Sequence, residues 1–251
     1  MWPYLEHGGP IPFAHRGGAG DWPENTMPAF ADAVALGYRY LETDVHLSRD
    51  GVVVAFHDES LERVSDGTGN ISEHRWSELA QVRVGGSEPI PRLEEILRSF
   101  PDARINIDTK SDAVVEPLID LLRRTGSLDR VCVGSFSEGR LRRVREALGA
   151  DVCTSLGPRS ILRLVLRSFR VPVDAHVAPC LQVPVRWNGM RIITDRFLDH
   201  AHAHGMQVHA WTIDDPDEMR QLLDQGVDGI MTDRPAVLKQ VLHERGQWID
   251  T

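Results

Sequence analysis

Cysteine, long apolar runs and positive charge are all scarce in this sequence. Of its 251 residues only Cys132, Cys153 and Cys180 are cysteines, an odd number at wide spacing, each in an apolar stretch. That pattern argues for buried free thiols in a reducing compartment, over disulfides or a thiolate metal site. No segment approaches the ~18 consecutive apolar residues that a membrane span needs. The stretch 1–10 has no basic region ahead of an apolar run. The expectation is an unexported, cytoplasmic protein without stable membrane insertion. Lys and Arg number 28 against 37 Asp and Glu, a formal net charge of -9. This balance argues against a general nucleic-acid or anionic-membrane surface. It leaves room for a small anionic substrate, because a local cluster of Arg, Lys and metal overrides the global sign.

What is present is alternation. Short apolar runs and helical patterns follow one another almost from end to end. Strands are expected at 11–15, 40–47, 104–109, 130–135, 152–156, 175–181, 207–213 and 229–232. Helices are expected at 25–36, 93–100, 113–124, 137–148, 161–169, 195–204, 217–224 and 236–244. After the second strand, Asp50-Gly51 marks a turn from which 52–57 runs back as an extended segment. Residues 59–90 are polar and glycine-containing, with one short helical pattern near Trp76–Leu79. Alternation of this kind implies a parallel sheet. Eight repeats in this length suit a closed (β/α)8 TIM barrel, with 59–90 as a small loop-rich insertion in one domain spanning 1–251.

Charged groups interrupt the apolar strands at particular places. Glu42 and Asp44 are two residues apart on the second strand and share a face. Asn106, Asp108 and Lys110 share a face on the third, opposite Ile105 and Ile107. His15 and Arg16 end the first strand, His57 and Asp58 end the run from Val52, and Trp211 ends Val208–Ala210. All lie at or beyond C-terminal strand ends, which converge on one face of a barrel. Each has a plain reading alone: a solvated strand end, an internal ion pair, a turn cap, a packed tryptophan. Five strand ends carrying such residues together argue for a site. Glu42, Asp44 and Asp108 are hard oxygen donors suited to Mg²⁺ or Ca²⁺. Two histidines can serve as general acid and base, and Arg16 and Lys110 can neutralise phosphate oxygens. These parts suit cleavage of a phosphate ester.

The ordered strings His15-Arg16-Gly17-Gly18, Pro23-Glu24-Asn25-Thr26, Glu42-Thr43-Asp44-Val45, His57-Asp58, Asn106–Lys110, Trp211-Thr212 and Thr232–Pro235 resemble the glycerophosphodiester phosphodiesterases. The resemblance covers nearly the whole chain. It implies a (β/α)8 barrel with an early insertion, a divalent cation, and hydrolysis of a small-molecule glycerophosphodiester to glycerol 3-phosphate and an alcohol. It further implies that His15 and His57 form the acid/base pair and that Glu42, Asp44 and Asp108 hold the metal. Arg16 and Lys110 would contact phosphate, Glu24 and Asn25 would organise the substrate site, and Trp211 would line it. The chain departs from the pattern at Asp108, where many members carry Glu. The shorter side chain needs a closer backbone or a bridging water for direct ligation. Competing expectations are a lysophospholipase D-like enzyme, needing an apolar groove near Trp211 or in the insertion, and a non-catalytic binder of phosphate ligands.

Overall fold

The computed structural model describes residues 2–20, 22–174 and 177–249. Eight parallel strands build its centre: β1 Ile11–Ala14, β2 Tyr40–Leu47, β3 Arg104–Thr109, β4 Val131–Gly134, β5 Cys153–Thr154, β6 Cys180–Pro184, β7 Gln207–Trp211 and β8 Gly229–Thr232. Their hydrogen-bonded order runs β5-β4-β3-β2-β1-β8-β7-β6. Among the described residues the two ends meet through a single parallel bridge, Ser155 to Cys180, where the Leu156 amide donates to the Cys180 carbonyl at 3.2 Å. The sheet is thereby a barrel, and each strand is followed, directly or after an excursion, by one helix of an outer ring.

Side-chain alternation explains why these segments close in this way. Leu41, Val45, Ile105 and Ile107 point outward and are buried beneath the helices. Burying each such aliphatic side chain is worth roughly 1.5–3 kcal/mol. Their neighbours Tyr40, Glu42, Asp44, Asn106 and Asp108 therefore point into the barrel. The lower interior is packed with Phe13, Tyr40, Met231 and the three cysteines, all buried. Tyr4 closes that end, with its ring edge-on to Tyr40 at 5.5 Å. The cysteines are buried, as their apolar stretches predict, and their sulfurs lie within 4.8 Å of one another. Small side chains there accommodate the large rings of Phe13, Tyr40 and Tyr4 in the same cluster.

One expected element is displaced and one unexpected element appears. The sixth strand begins at Cys180 rather than at 175, because Pro179 has no N–H to offer a ladder; residues 175 and 176 lie outside the described residues. The stretch before Ile192 contains a small hairpin, Arg186–Trp187 against Met190–Arg191. Its Asn188-Gly189 turn has φ of 48° and 80°, the positive values that a two-residue hairpin favours and that Asn-Gly supplies. Ahead of the insertion, Val53–Ala55 runs back antiparallel to β2, as the turn at Asp50-Gly51 predicts. Leu61, Ile71, Leu79, Val84 and Ile90 make a satellite core with Val54 and Phe56.

Candidate active site

The C-terminal strand ends surround a cavity of about 420 Å³. His15, Arg16, Glu42, Asp44, His57, Asp108, Lys110 and Trp211 all line it. Eight of the ten residues singled out by sequence thus share one pocket. Glu24 and Asn25 do not line it; they stand behind it. Glu24 accepts from Arg16 at 3.0 Å, and Asn25 donates to Asp44 at 3.1 Å while accepting from Thr43 at 2.7 Å.

Each histidine is oriented by a carboxylate. His15 Nδ1 meets Asp233 Oδ1 at 2.7 Å and His57 Nδ1 meets Asp58 Oδ1 at 2.5 Å. Donation from Nδ1 leaves Nε2 as the working nitrogen in both rings. His15 Nε2 lies 3.8 Å from Glu42. Burial opposes a charge on His15, but Glu42 and Asp233 outweigh it and raise its pKa. Burial likewise works against an ionised Asp58, yet Arg63 and His57 hold its carboxyl down at about 2. Arg63 also binds Glu24 through both carboxylate oxygens, at 2.7 and 3.1 Å, tying the insertion to the site.

The backbone after β1 makes part of the cradle. Arg16 adopts φ 54°, a left-handed conformation that is uncommon for a side chain of its size. That turn aims the Arg16 N–H at Glu42 Oε2, 3.0 Å away. Gly17 follows at φ 84°, where a Cβ would come within 2.9 Å of the Phe30 amide nitrogen. The Arg16 Nε is 3.2 Å from Asp44 Oδ2, but its N–H is not aligned with that oxygen, so this buried donor has no hydrogen-bond partner among the described residues.

Charge is unevenly compensated across the floor. Lys110 Nζ sits between Asp44 at 2.8 Å and Asp108 at 2.7 Å. Burial would lower the Lys110 pKa, but those carboxylates raise it. Burial would raise Asp44, but Lys110, Arg16 and His57 hold it below its ordinary range. Asp108 is raised, chiefly by burial, with Lys110 offsetting only part. Glu42 has no Lys or Arg side chain as an ion partner among the described residues. Burial and the neighbouring Asp44 charge push it up to about 7. A buried carboxylate so poorly matched fits a site that takes a cation. Glu42 fits directly, whereas Asp44 is engaged by Lys110 at 2.8 Å. Asp108 is engaged by Lys110, and among the described residues the three carboxylates do not form a set with oxygens all within 4.8 Å.

Two contributors escaped the sequence reading of roles. Asp233 follows β8 within the Thr232–Pro235 string, and only barrel closure brings it to His15. Gln182, on β6, donates to Asn106 at 2.6 Å and lines the same cavity.

Residues 15–237 match the model of the glycerophosphoryl diester phosphodiesterase family. This chain belongs to that family. Its members generally depend on a divalent cation. The chain is 41% identical over 254 residues to a probable glycerophosphodiester phosphodiesterase of Mycobacterium tuberculosis, covering 98% of this chain and 95% of the relative. It is 30% identical to a human lysophospholipase D, over 92% and 85% of the two chains. Among solved structures it is similar to an Oleispira antarctica phosphodiesterase in complex with the product sn-glycerol-3-phosphate. That match has a TM-score of 0.77 and 25% identity over 94% of this chain and 97% of that one. As a family member the protein is a phosphoric diester hydrolase acting on glycerophosphodiesters.

Proposed function

We propose that His15 and His57 are the acid and base of glycerophosphodiester hydrolysis in this chain. The observation that carries the reading is the pairing of both rings, through Nδ1, with carboxylates at the mouth of one cavity that also holds Arg16 and Lys110. One Nε2 takes the proton of the attacking oxygen and the other protonates the leaving alkoxide. The unpartnered Arg16 Nε and the Lys110 ammonium take the phosphate oxygens, with Lys110 shifting from Asp44 and Asp108 toward the substrate. Glu42, with Asp44 and Asp108 once Lys110 has moved, would hold a divalent cation such as Mg²⁺ or Ca²⁺, which would add positive charge against the phosphoryl oxygens. Glu24 and Asn25 hold Arg16 and Asp44 in place, and Trp211 lines the pocket beside the alcohol. The products are glycerol 3-phosphate and the head-group alcohol.

A coupled glycerol 3-phosphate assay over several glycerophosphodiesters tests this. Activity is lost in EDTA and returns with Mg²⁺ or Ca²⁺. His15→Ala and His57→Ala each lower turnover by ~100-fold or more; near-normal turnover in either variant removes that histidine from the mechanism. Tight ligand binding without turnover would instead favour the non-catalytic reading.

A second reading, a substrate with a longer lipid portion as in a lysophospholipase D, is favoured by one wall of the cavity. Phe136, Leu162, Trp187 and Met190 line it beside Trp211, and Phe136 stacks edge-on to Trp211 at 5.8 Å. Comparing glycerophosphocholine with lysophosphatidylcholine separates the two.

A further inference from the structure

We infer that one side of the cavity mouth is a docking surface for an anionic lipid bilayer. The mouth is flanked by the outer helix Pro158–Ser168 and by the hairpin Arg186–Trp187/Met190–Arg191. The two differ from the rest of the surface in both apolarity and charge.

Apolarity comes first. Among the described residues ten large hydrophobic side chains are exposed, and eight fall between positions 136 and 190. Trp187 and Met190 are about half exposed, at 51% and 50%, and straddle the hairpin turn. Leu162, at 51%, borders the same cavity, with Leu166 one turn further on the same stripe of the helix. A soluble protein has little reason to hold a tryptophan and a methionine out on a two-residue turn. An aromatic ring at a bilayer interface places its apolar body among the acyl chains and its indole N–H at the headgroups.

Charge is the second observation. Residues 158–191 contain six arginines and one acid, Asp174, in a chain whose net charge is -9. Arg159, Arg163 and Arg167 form a stripe beside Leu162 and Leu166 on the exposed face of the helix, and Arg186 and Arg191 flank the Trp187–Met190 turn. None of these five arginines, nor Arg170, has an ion-pair partner among the described residues, whereas arginines elsewhere are widely paired, as in Arg143–Glu116 and Arg220–Glu244. The adjoining helix Asp195–Ala203 adds Arg196, Asp195 and Asp199, so the basic field is strongest on the Pro158–Ser168 side. Unpaired arginines beside an exposed apolar stripe suit anionic headgroups over apolar lipid. The global charge opposes binding elsewhere and leaves this face as the single orientation in which the protein approaches such a membrane. Docked this way, the cavity opens onto the lipid surface.

Vesicle co-sedimentation at low salt tests the inference without reference to catalysis. The full chain is mixed with extruded phosphatidylcholine vesicles, with or without one quarter phosphatidylglycerol. Binding is expected with phosphatidylglycerol, at least ten-fold weaker without it, and lost on adding 0.5 M NaCl, as screening requires. The double variant Arg163→Glu/Arg167→Glu should bind at least ten-fold less while hydrolysing soluble glycerophosphocholine at the unchanged rate, since neither side chain lines the cavity. Trp187→Phe should abolish most of the blue shift in tryptophan emission that vesicles induce. Absence of wild-type binding, or binding indifferent to the double substitution, overturns the inference. So does a stable dimer in sedimentation velocity that dissociates on Met190→Asp, because the apolar face would then belong to a second copy of the chain.

Discussion

His15 and Asp233 stand 218 residues apart in the chain and 2.7 Å apart in the folded protein. β1 and β8 are hydrogen-bonded neighbours, with Ala14 in register with Thr232, so the residue after each strand meets the other at the barrel's closing edge. Asp233 accepts from the ring and receives its own support through Asp214, which accepts from the Asp233 amide at 2.8 Å. Asp233→Asn should keep the ring packed while removing the charge that favours its protonated form. Turnover should fall by roughly 10–100-fold with little change in KM. The limb of the pH–rate profile that reports His15 should also move to lower pH, because His15 loses one of the two carboxylates that raise it. An unchanged profile would leave Asp233 as packing alone.

Glu42 gives a pH signature of stability. Its carboxyl lies at about 7 in the folded metal-free chain against an ordinary 4.5. Between those values the folded state holds more protons than the unfolded one, so stability falls as pH rises through that window. His15 works in the same direction: its raised pKa contributes stability below its ordinary value that is lost as pH rises through the folded one. In EDTA, the melting temperature should therefore drop between pH 4.5 and 7.5. Glu42→Gln should make that drop shallower, and Mg²⁺ or Ca²⁺ should raise the wild-type melting temperature more at pH 7.5 than at pH 5.

Lys110 is the counter-charge for two buried carboxylates. Lys110→Met leaves Asp44 and Asp108 facing each other without it, a loss on the order of 3 kcal/mol. Urea denaturation in EDTA reads the destabilisation, and a divalent cation should restore part of it by taking over the neutralising role. Activity should stay low even with saturating metal if Lys110 also binds phosphate.

Arg63 couples the insertion to His57 through Asp58. Its side chain is about half exposed, so its removal should cost little stability. Arg63→Ala should nevertheless lower kcat/KM by about three-fold, as Asp58 loses the cation that keeps it ionised and fixed. A loss as large as that of His57→Ala would place Arg63 on the substrate itself.

The strands that carry the site were the most legible part of the sequence. Tyr40–Leu47 and Arg104–Thr109 fall where alternation puts them, because acids at every second position cannot share the outward, helix-covered face with Leu41 and Ile105. Closure then forces Glu42, Asp44 and Asp108 into one interior. The sixth strand was less legible, since Val177 and Ala178 continue an apolar run that Pro179 interrupts. The hairpin at 186–191 had its Asn-Gly signal but only two residues a side. Asp233 and Gln182 had polarity at a strand end and nothing local to say which partner they serve; their partners come from strands paired over long sequence separations. Glu24 and Asn25 sit one layer behind the cavity, where they hold Arg16 and Asp44 at its edge.

The seam between β5 and β6 gives the barrel a preferred place to part. β2 and β3 share six paired positions, whereas among the described residues β5 and β6 are joined by one bridge, next to Leu156 and Val183 of the cavity wall. Amide hydrogens at 153–156 and 180–183 are accordingly expected to exchange ahead of those at 41–45 and 105–109. A wall that yields on one side would admit alcohol portions of differing girth while the opposite side, with its imidazoles and carboxylates, kept its alignment.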